Sequence, residues 1–433
     1  MEENGRKRQR ERERKIEMRR RQVRRQKMIL GGGAAGILLL LILVLAVRGI
    51  AGSAAEKART EKMEKQEQAQ KAREKEPEKV SLTISAAGDC TLGTDENFYY
   101  ATSLPAKYEE VQDPGYFFQK VLPVFSKDDL TIVNMEGTLT QETAREAKLY
   151  AFKGDEEYTQ ILTEGSVEAA NLANNHSHDY GEKSYTDTIQ ALEDAGITTF
   201  GYDRTAVMDI KGIKVGLLGT YELADHMGCE EEMIKNIQSL QEQGAQIIIA
   251  SFHWGTEREN IPNEIQVDLA HSAIDHGADL VLGHHPHVLQ GIETYKGKNI
   301  VYSLGNFCFG GNSGPNDMDA MIFQQTFTLE DGELTEDNVT NVVPVKISGS
   351  WAQGVNDYQP TPVEGELGEA IIERVEKYSQ GLAEQYGTEA AQIQSSLDKD
   401  QEENGQTETV SGAAVEAVSY THLRAHESTL HIV

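Results

Sequence analysis

Three imidazoles within four residues, His284, His285 and His287 in the string VLGHHPHV, follow an apolar run and are hard to justify by packing. Such a cluster favours a metal ion. Two more histidines sit in similar places, His176 in LANNHSHDYG and His253 in ASFHWG, and two carboxylates match them, Asp89 in ISAAGDCTLG and Glu136 in IVNMEGTLT. Imidazole and carboxylate without thiolate suit zinc, manganese or iron at a site with open positions, and a carboxylate can bridge two ions. Ions so held activate water and neutralise charge on a phosphoryl group. The expected ligands are Asp89, Glu136, Asn175, His253, His285 and His287, holding two divalent ions (Mn, Fe or Zn), with His176 as catalytic general acid or transition-state stabiliser. Asn134, Asp179, His284 and Asn306 are supporting residues, Asp179 orienting His176 or fixing its loop.

Taken singly, most of these residues have plainer readings. Asp89 and Glu136 each adjoin a glycine, as turn residues do. Asn174 and Asn175 suit a turn after a strand, and a lone His253 before Trp254 suits a hydrogen-bonded structural residue. The combination carries more weight than any member. His178, His226, His271 and His276 lack that support. Arg204, Arg258 and Lys153 fall in expected loops, where ordinary surface charge is the default.

Elements that could bring these residues together are legible around them. Short apolar runs bounded by Gly, Asp or Asn begin at Val80, Leu130, Val167, Ile197, Ile213, Ile247, Asp279, Ile300 and Met321 and read as strands. Helical periods lie over 184–194, 230–243 and 263–276, each followed by a glycine, Gly196, Gly244 or Gly277, that ends it. This alternation predicts an α/β or layered domain over 80–350. In such a domain the carboxyl ends of strands converge on one crevice.

The motifs GDCTLG (88–93), NMEGTLT (134–140), ANNHSHDYG (173–181), HWGTE (253–257), GHHPHVLQGIE (283–293) and YSLGNFCF (302–309) occur in this order. By them the chain resembles the CapA family of poly-γ-glutamate capsule synthesis proteins, whose domain resembles calcineurin-like metallophosphoesterases. The resemblance implies a layered α-β-β-α domain. It places metal ligands at Asp89, Glu136, Asn175, His253, His285 and His287, and the catalytic histidine at His176. The phosphoesterase pattern opens with Asp-x-His, whereas Cys90 and Thr91 follow Asp89 here, and Glu136 stands where that pattern has a bridging Asp.

Charge divides the chain. The formal net charge is −29, but residues 1–27 hold thirteen Lys/Arg and five Glu, so this stretch carries +8 and the remainder −37. An acidic bulk excludes a nucleic-acid partner. Residues 28–47, MILGGGAAGILLLLILVLAV, are twenty without a charge and read as a single transmembrane helix in preference to a cleaved signal. The basic flank then stays cytoplasmic and the main domain faces outward. Residues 48–79 read as a charged stalk and 351–412 as an acidic extension with a peripheral helix near Ile371 and Val375. Residues 413–433 have the look of a non-native tail. Cys90, Cys229 and Cys308, odd in number and far apart, read as buried side chains. Three functions fit these expectations: a membrane-anchored metal-dependent phosphoesterase of the cell envelope, a non-catalytic accessory protein binding or exporting an anionic polymer, and a metal-dependent amide hydrolase trimming that polymer.

Overall fold

The computed structural model describes residues 78–312, 314–350 and 355–397, together with 15, 17–28, 39–46, 56–57 and 59–66. The chain divides into two units, Met1–Pro77 and Glu78–Val433. In the first unit the described stretches are helical. Most of the expected transmembrane segment, residues 29–38 and 47, lies outside the described residues, as does the tail from 398 onward. Among the described residues no helix is long and apolar enough to cross a membrane.

The described residues of the second unit form sixteen strands: β1 (Lys79–Thr91), β2 (Leu130–Met135), β3 (Thr138–Leu139), β4 (Lys153–Gly154), β5 (Ala169–Asn171), β6 (Thr198–Phe200), β7 (Ala206–Ile210), β8 (Ile213–Tyr221), β9 (Ile247–His253), β10 (Leu280–His284), β11 (Ile292–Tyr295), β12 (Lys298–Val301), β13 (Asn306–Phe309), β14 (Asp319–Glu330), β15 (Glu333–Lys346) and β16 (Thr361–Pro362). One sheet runs β16-β15-β14-β1-β2-β5-β6, with β13 also on β1, and another runs β11-β12-β10-β9-β8-β7. β1, β2, β5 and β6 are mutually parallel, as are β8, β9, β10 and β12.

The two sheets pack face to face because their central strands are apolar on both sides, as strands covered on both faces must be. Along β2, Leu130 and Ile132 enter a core shared with Val215, Leu217, Ile249 and Leu282 of the other sheet. Val133 and Met135 point the other way, into a core with Phe117, Phe118, Leu162 and Leu192. In β9 the same alternation sends Ile247 and Ile249 inward, and Ile248 and Ala250 outward against Met233, Ile237, Leu269 and Ala273. Those last four lie on the helices Glu230–Glu242 and Glu264–His276. Helices thus cover the outer face of each sheet, giving the layered α/β arrangement that the sequence predicts.

One boundary differs from the sequence expectation. The helix Gly365–Tyr386, expected as peripheral, buries Ile371, Val375, Ser379 and Leu382. Ile371 and Val375 join the core between the sheets, and Ser379 Oγ accepts the Ile292 backbone N–H at 2.8 Å. The folded body therefore extends past residue 350. An acidic solvent face made this helix look loosely attached, although its apolar stripe recurs at helical spacing.

Candidate metal centre

Register places the chemistry. Asp89 at the carboxyl end of β1 lies opposite Asn134 of β2 and Asn306 of β13, and Asn134 lies opposite Asn171 of β5. In the other sheet His253 pairs in register with His284 and Tyr221. Each strand delivers its polar residue where the apolar run ends. Close approach between segments is written into the motifs: a Cβ on Gly88 would fall 2.0 Å from the Gly305 carbonyl oxygen, and one on Gly283 would fall 1.9 Å from that of Tyr302. Glycine at both positions lets the ends of β1 and β10, which carry Asp89 and His284, sit against the loop after β12.

Glu136 follows β2 directly and is fully buried, yet neither carboxylate oxygen has a hydrogen-bond partner among the described residues. Its Oε1 faces three imidazoles, with His253 Nε2 and His287 Nε2 at 3.8 Å and His176 Nε2 at 4.0 Å. These distances are too long for hydrogen bonds. Glu136, His285 and His287 each offer a ligand atom, and these atoms lie within 4.8 Å of one another. Donors about 2.0–2.2 Å from one ion are separated by roughly 3–4 Å, so the spacing suits a shared cation. Among the described residues the buried Nδ1 of His285 and both ring nitrogens of His284 also have no hydrogen-bond partner, His284 Nδ1 lying 3.6 Å from Asp89 Oδ1. An unpartnered buried polar atom costs about 1–3 kcal/mol. The donor set therefore fits a divalent ion on two grounds, its spacing and its unmet polar groups.

The charges agree. Burial pushes the Glu136 carboxyl up to about 8, with Asp89 and Asp179 adding to the rise and His287 opposing it. Burial alone would lower His287, but Glu136 and Asp89 outweigh it and push the imidazole up to about 10. Asp89 is held below the usual carboxylate range: burial works against this, and the His287 contact at 3.2 Å and Asn134 overcome it. A proton on His287 thus does part of what a cation would do, and metal binding would displace it. His285 and His287 have φ of 95° and 57°, in the left-handed region, which for a non-glycine residue stores about 1–3 kcal/mol and gathers at functional sites.

Other expected residues are tied in more tightly. Asp89 Oδ1 accepts from Asn134 Nδ2 at 2.8 Å and Oδ2 from the His285 N–H at 3.3 Å. Asn175 Oδ1 lies 2.7 Å from His253 Nε2, so that nitrogen donates, and Asn134 Nδ2 lies 3.3 Å from His253 Nδ1, which accepts. Burial holds His253 neutral. Asp89, Asn175 and His253 therefore line the crevice, but they spend their donor atoms on protein partners. Asn306 Oδ1 lies 2.9 Å from His287 Nδ1 and fixes that ring.

His176 has the geometry of an oriented acid–base group. Its Nδ1 lies 2.7 Å from Asp179 Oδ2, and Asp179 is itself anchored by the Phe152 N–H and by Lys148 Nζ at 2.6 Å. Burial lowers the His176 pKa against the pull of Asp179. Phe152 packs on the ring at 4.4 Å between centroids. Lys148, Phe152 and Asn171 carry no signal in the sequence that marks them for the site. Lys148 and Phe152 lie in an aperiodic stretch, and Asn171, which donates to Asn134 Oδ1 at 2.9 Å, ends a strand like any polar residue. Arg204 pairs with Glu193 and Lys153 lies over the Tyr180 ring. His178, His226 and His271 pair with Glu182, Glu222 and Glu293.

Comparison with known proteins agrees on family. A model described as "Bacterial capsule synthesis protein PGA_cap" matches residues 83–311. The chain is 29% identical over 261 residues to the capsule biosynthesis protein CapA of Bacillus anthracis, covering 54% of this chain and 61% of that one. It is 31% identical over 224 residues to the PGA biosynthesis protein CapA of Bacillus subtilis, covering 47% and 59%. A probable polyglutamine synthesis accessory protein of Mycobacterium tuberculosis is 27% identical over 209 residues, 41% of this chain and 55% of that one. The chain thus spans about three fifths of the length of the curated relatives it matches.

Proposed function

The chain belongs to the bacterial capsule synthesis family described by the PGA_cap model, and from that membership we propose that it serves capsule or poly-γ-glutamate synthesis or export as a metal-dependent hydrolase of phosphoester type. The observation that carries the hydrolase reading is the buried, unpartnered Glu136 carboxylate ringed by imidazoles. The layered α/β fold and the position of the site at strand ends support the likeness to calcineurin-like phosphoesterases. Anchoring in the cell membrane through residues 28–47, with the folded unit outside, belongs to the same proposal and rests on the apolar run.

Glu136, His285 and His287 would hold the first ion, which when bound supplies an activated water and stabilises charge on a phosphoryl group. A second ion would need Asp89 and Asn175 to release His287 and His253, so its affinity should be the weaker. Asp179 holds His176 with Nε2 toward the crevice, where that nitrogen can accept or deliver a proton. Phe152 on the ring and the apolar core beneath Asp89 keep bulk water from the back of the site.

A second reading is a non-catalytic polymer-binding protein with one structural ion. It draws support from the mutual satisfaction of Asp89, Asn175 and His253, which among the described residues leaves one three-residue group ready for metal. Metal-loaded full-length protein and its His176→Ala variant separate the two. Turnover of bis(p-nitrophenyl) phosphate that falls by about 10²–10⁴ in the variant supports the hydrolase. Equal rates in both proteins, or none in either, support the binding protein.

A further inference from the structure

A cavity of about 590 Å³ opens beside the crevice, with His176 and His287 on its floor. That volume is in the range of small-molecule sites. One wall is a run of rings leading outward from His176. Phe152 stands 4.4 Å from the imidazole, and Tyr150 and Phe98 each stand 6.4 Å from Phe152. Phe309, also on the lining, stands 5.4 Å from His287. Tyr150 is 46% exposed, so an apolar face reaches solvent at the mouth.

The cavity's charges argue against a polyanion in this space. Arg258 and Arg374 are matched by Glu257 and Asp317 on the lining. Arg374 is ion-paired with Asp317 and Asp319, and Arg258 has no ion pair among the described residues. One available guanidinium suits one anionic group, not a string of carboxylates. No two of these rings form a slot for a flat base. Phe98 is tilted 54° to Tyr150 and 48° to Phe152. Tyr150 and Phe152 are parallel within 6°, but their centroids are only 6.4 Å apart. A ring inserted between two others needs roughly 7 Å, two contact distances of about 3.5 Å. Tilted rings form a concave wall, and the lining adds amides at Asn306 and Asn316. A puckered ring with C–H faces and hydroxyl edges complements that mixture of aromatic and polar surface.

Resting on the phosphoesterase reading above, we propose that this cavity takes the sugar ring of a phosphorylated carbohydrate, with Arg258 on the phosphate. Binding can be measured without turnover by titrating α-glucose 1-phosphate, AMP, tetra-γ-glutamate and inorganic phosphate into full-length His176→Ala protein, with and without Mn²⁺. The sugar phosphate should bind at least about tenfold more tightly than the other three. Tyr150→Ala should weaken it about fivefold or more while leaving inorganic phosphate unchanged, and Tyr150→Trp should restore it. Tyr150 is surface-exposed, so the substitution leaves the core intact. AMP or the glutamyl oligomer binding as tightly as the sugar phosphate, or Tyr150→Ala without effect, would overturn the assignment. Failure of the parent reading shows separately, as absent phosphodiester turnover by the metal-loaded wild type.

Discussion

At the scale of single residues, Glu136 is the anomaly that organises the site. A carboxylate with no partner in the interior destabilises the metal-free protein, so Glu136→Gln should raise its stability by about 1–3 kcal/mol while lowering metal affinity. Thermal unfolding with chelator present checks the first half, and a metal titration the second. Asp179→Asn tests orientation: His176 loses its charged partner, and kcat should fall about tenfold or more with KM little changed. These residues were visible in the sequence because each follows an apolar strand and its motif is unusual in polar content. What the sequence could not reveal is how they pair. Asp89, Asn175 and His253 looked equivalent to Glu136 as ligands, and only their register across the sheets shows that Asn134 engages Asp89 and His253, and Asn175 engages His253.

At the scale of elements, the parallel strands hold chemistry at their carboxyl ends and store a pH dependence at the other. Asp128, just before β2, has its carboxyl pushed up to about 6 by burial, against hydrogen bonds from Ser85 and Thr131 and with Glu168 and Asp129 adding to the rise. A carboxyl raised above its unfolded value stabilises the fold fully at low pH and loses that contribution as pH rises through its folded value. Stability should therefore fall by about 1–2 kcal/mol between pH 4 and 6.5 from this group, after allowance for partial exposure. Asp128→Asn should remove that slope in denaturant titrations while leaving catalysis unchanged, since the residue lies at the far end of β2. The central strands were readable from their two-sided apolar runs. Edge strands β7, β11 and β16 were not, being short or half-polar. β15 is hard to read because charged residues, Glu333 and Asp337 among them, interrupt its apolar pattern. The helix Gly365–Tyr386 is integral: Leu382→Ala should cost about 2–4 kcal/mol in the same titrations, as a cavity in a packed core does.

Across the whole molecule, the charge is divided between a basic segment of +8 and an acidic remainder of −37. Like-charge repulsion should slow the encounter of the folded unit with any polyanion, and added salt should quicken it, because screening shortens the reach of that field to about 8 Å at physiological ionic strength. Divalent ions at Glu136 would reverse the sign locally. Metal content measures most directly whether that site is a metal centre. Full-length protein purified without chelator should carry at least one equivalent of manganese, iron or zinc, and the Glu136→Gln and His285→Ala variants should each carry less than about a tenth of that. Wild-type protein free of metal after exposure to all three ions, or variants retaining the full equivalent, would contradict it.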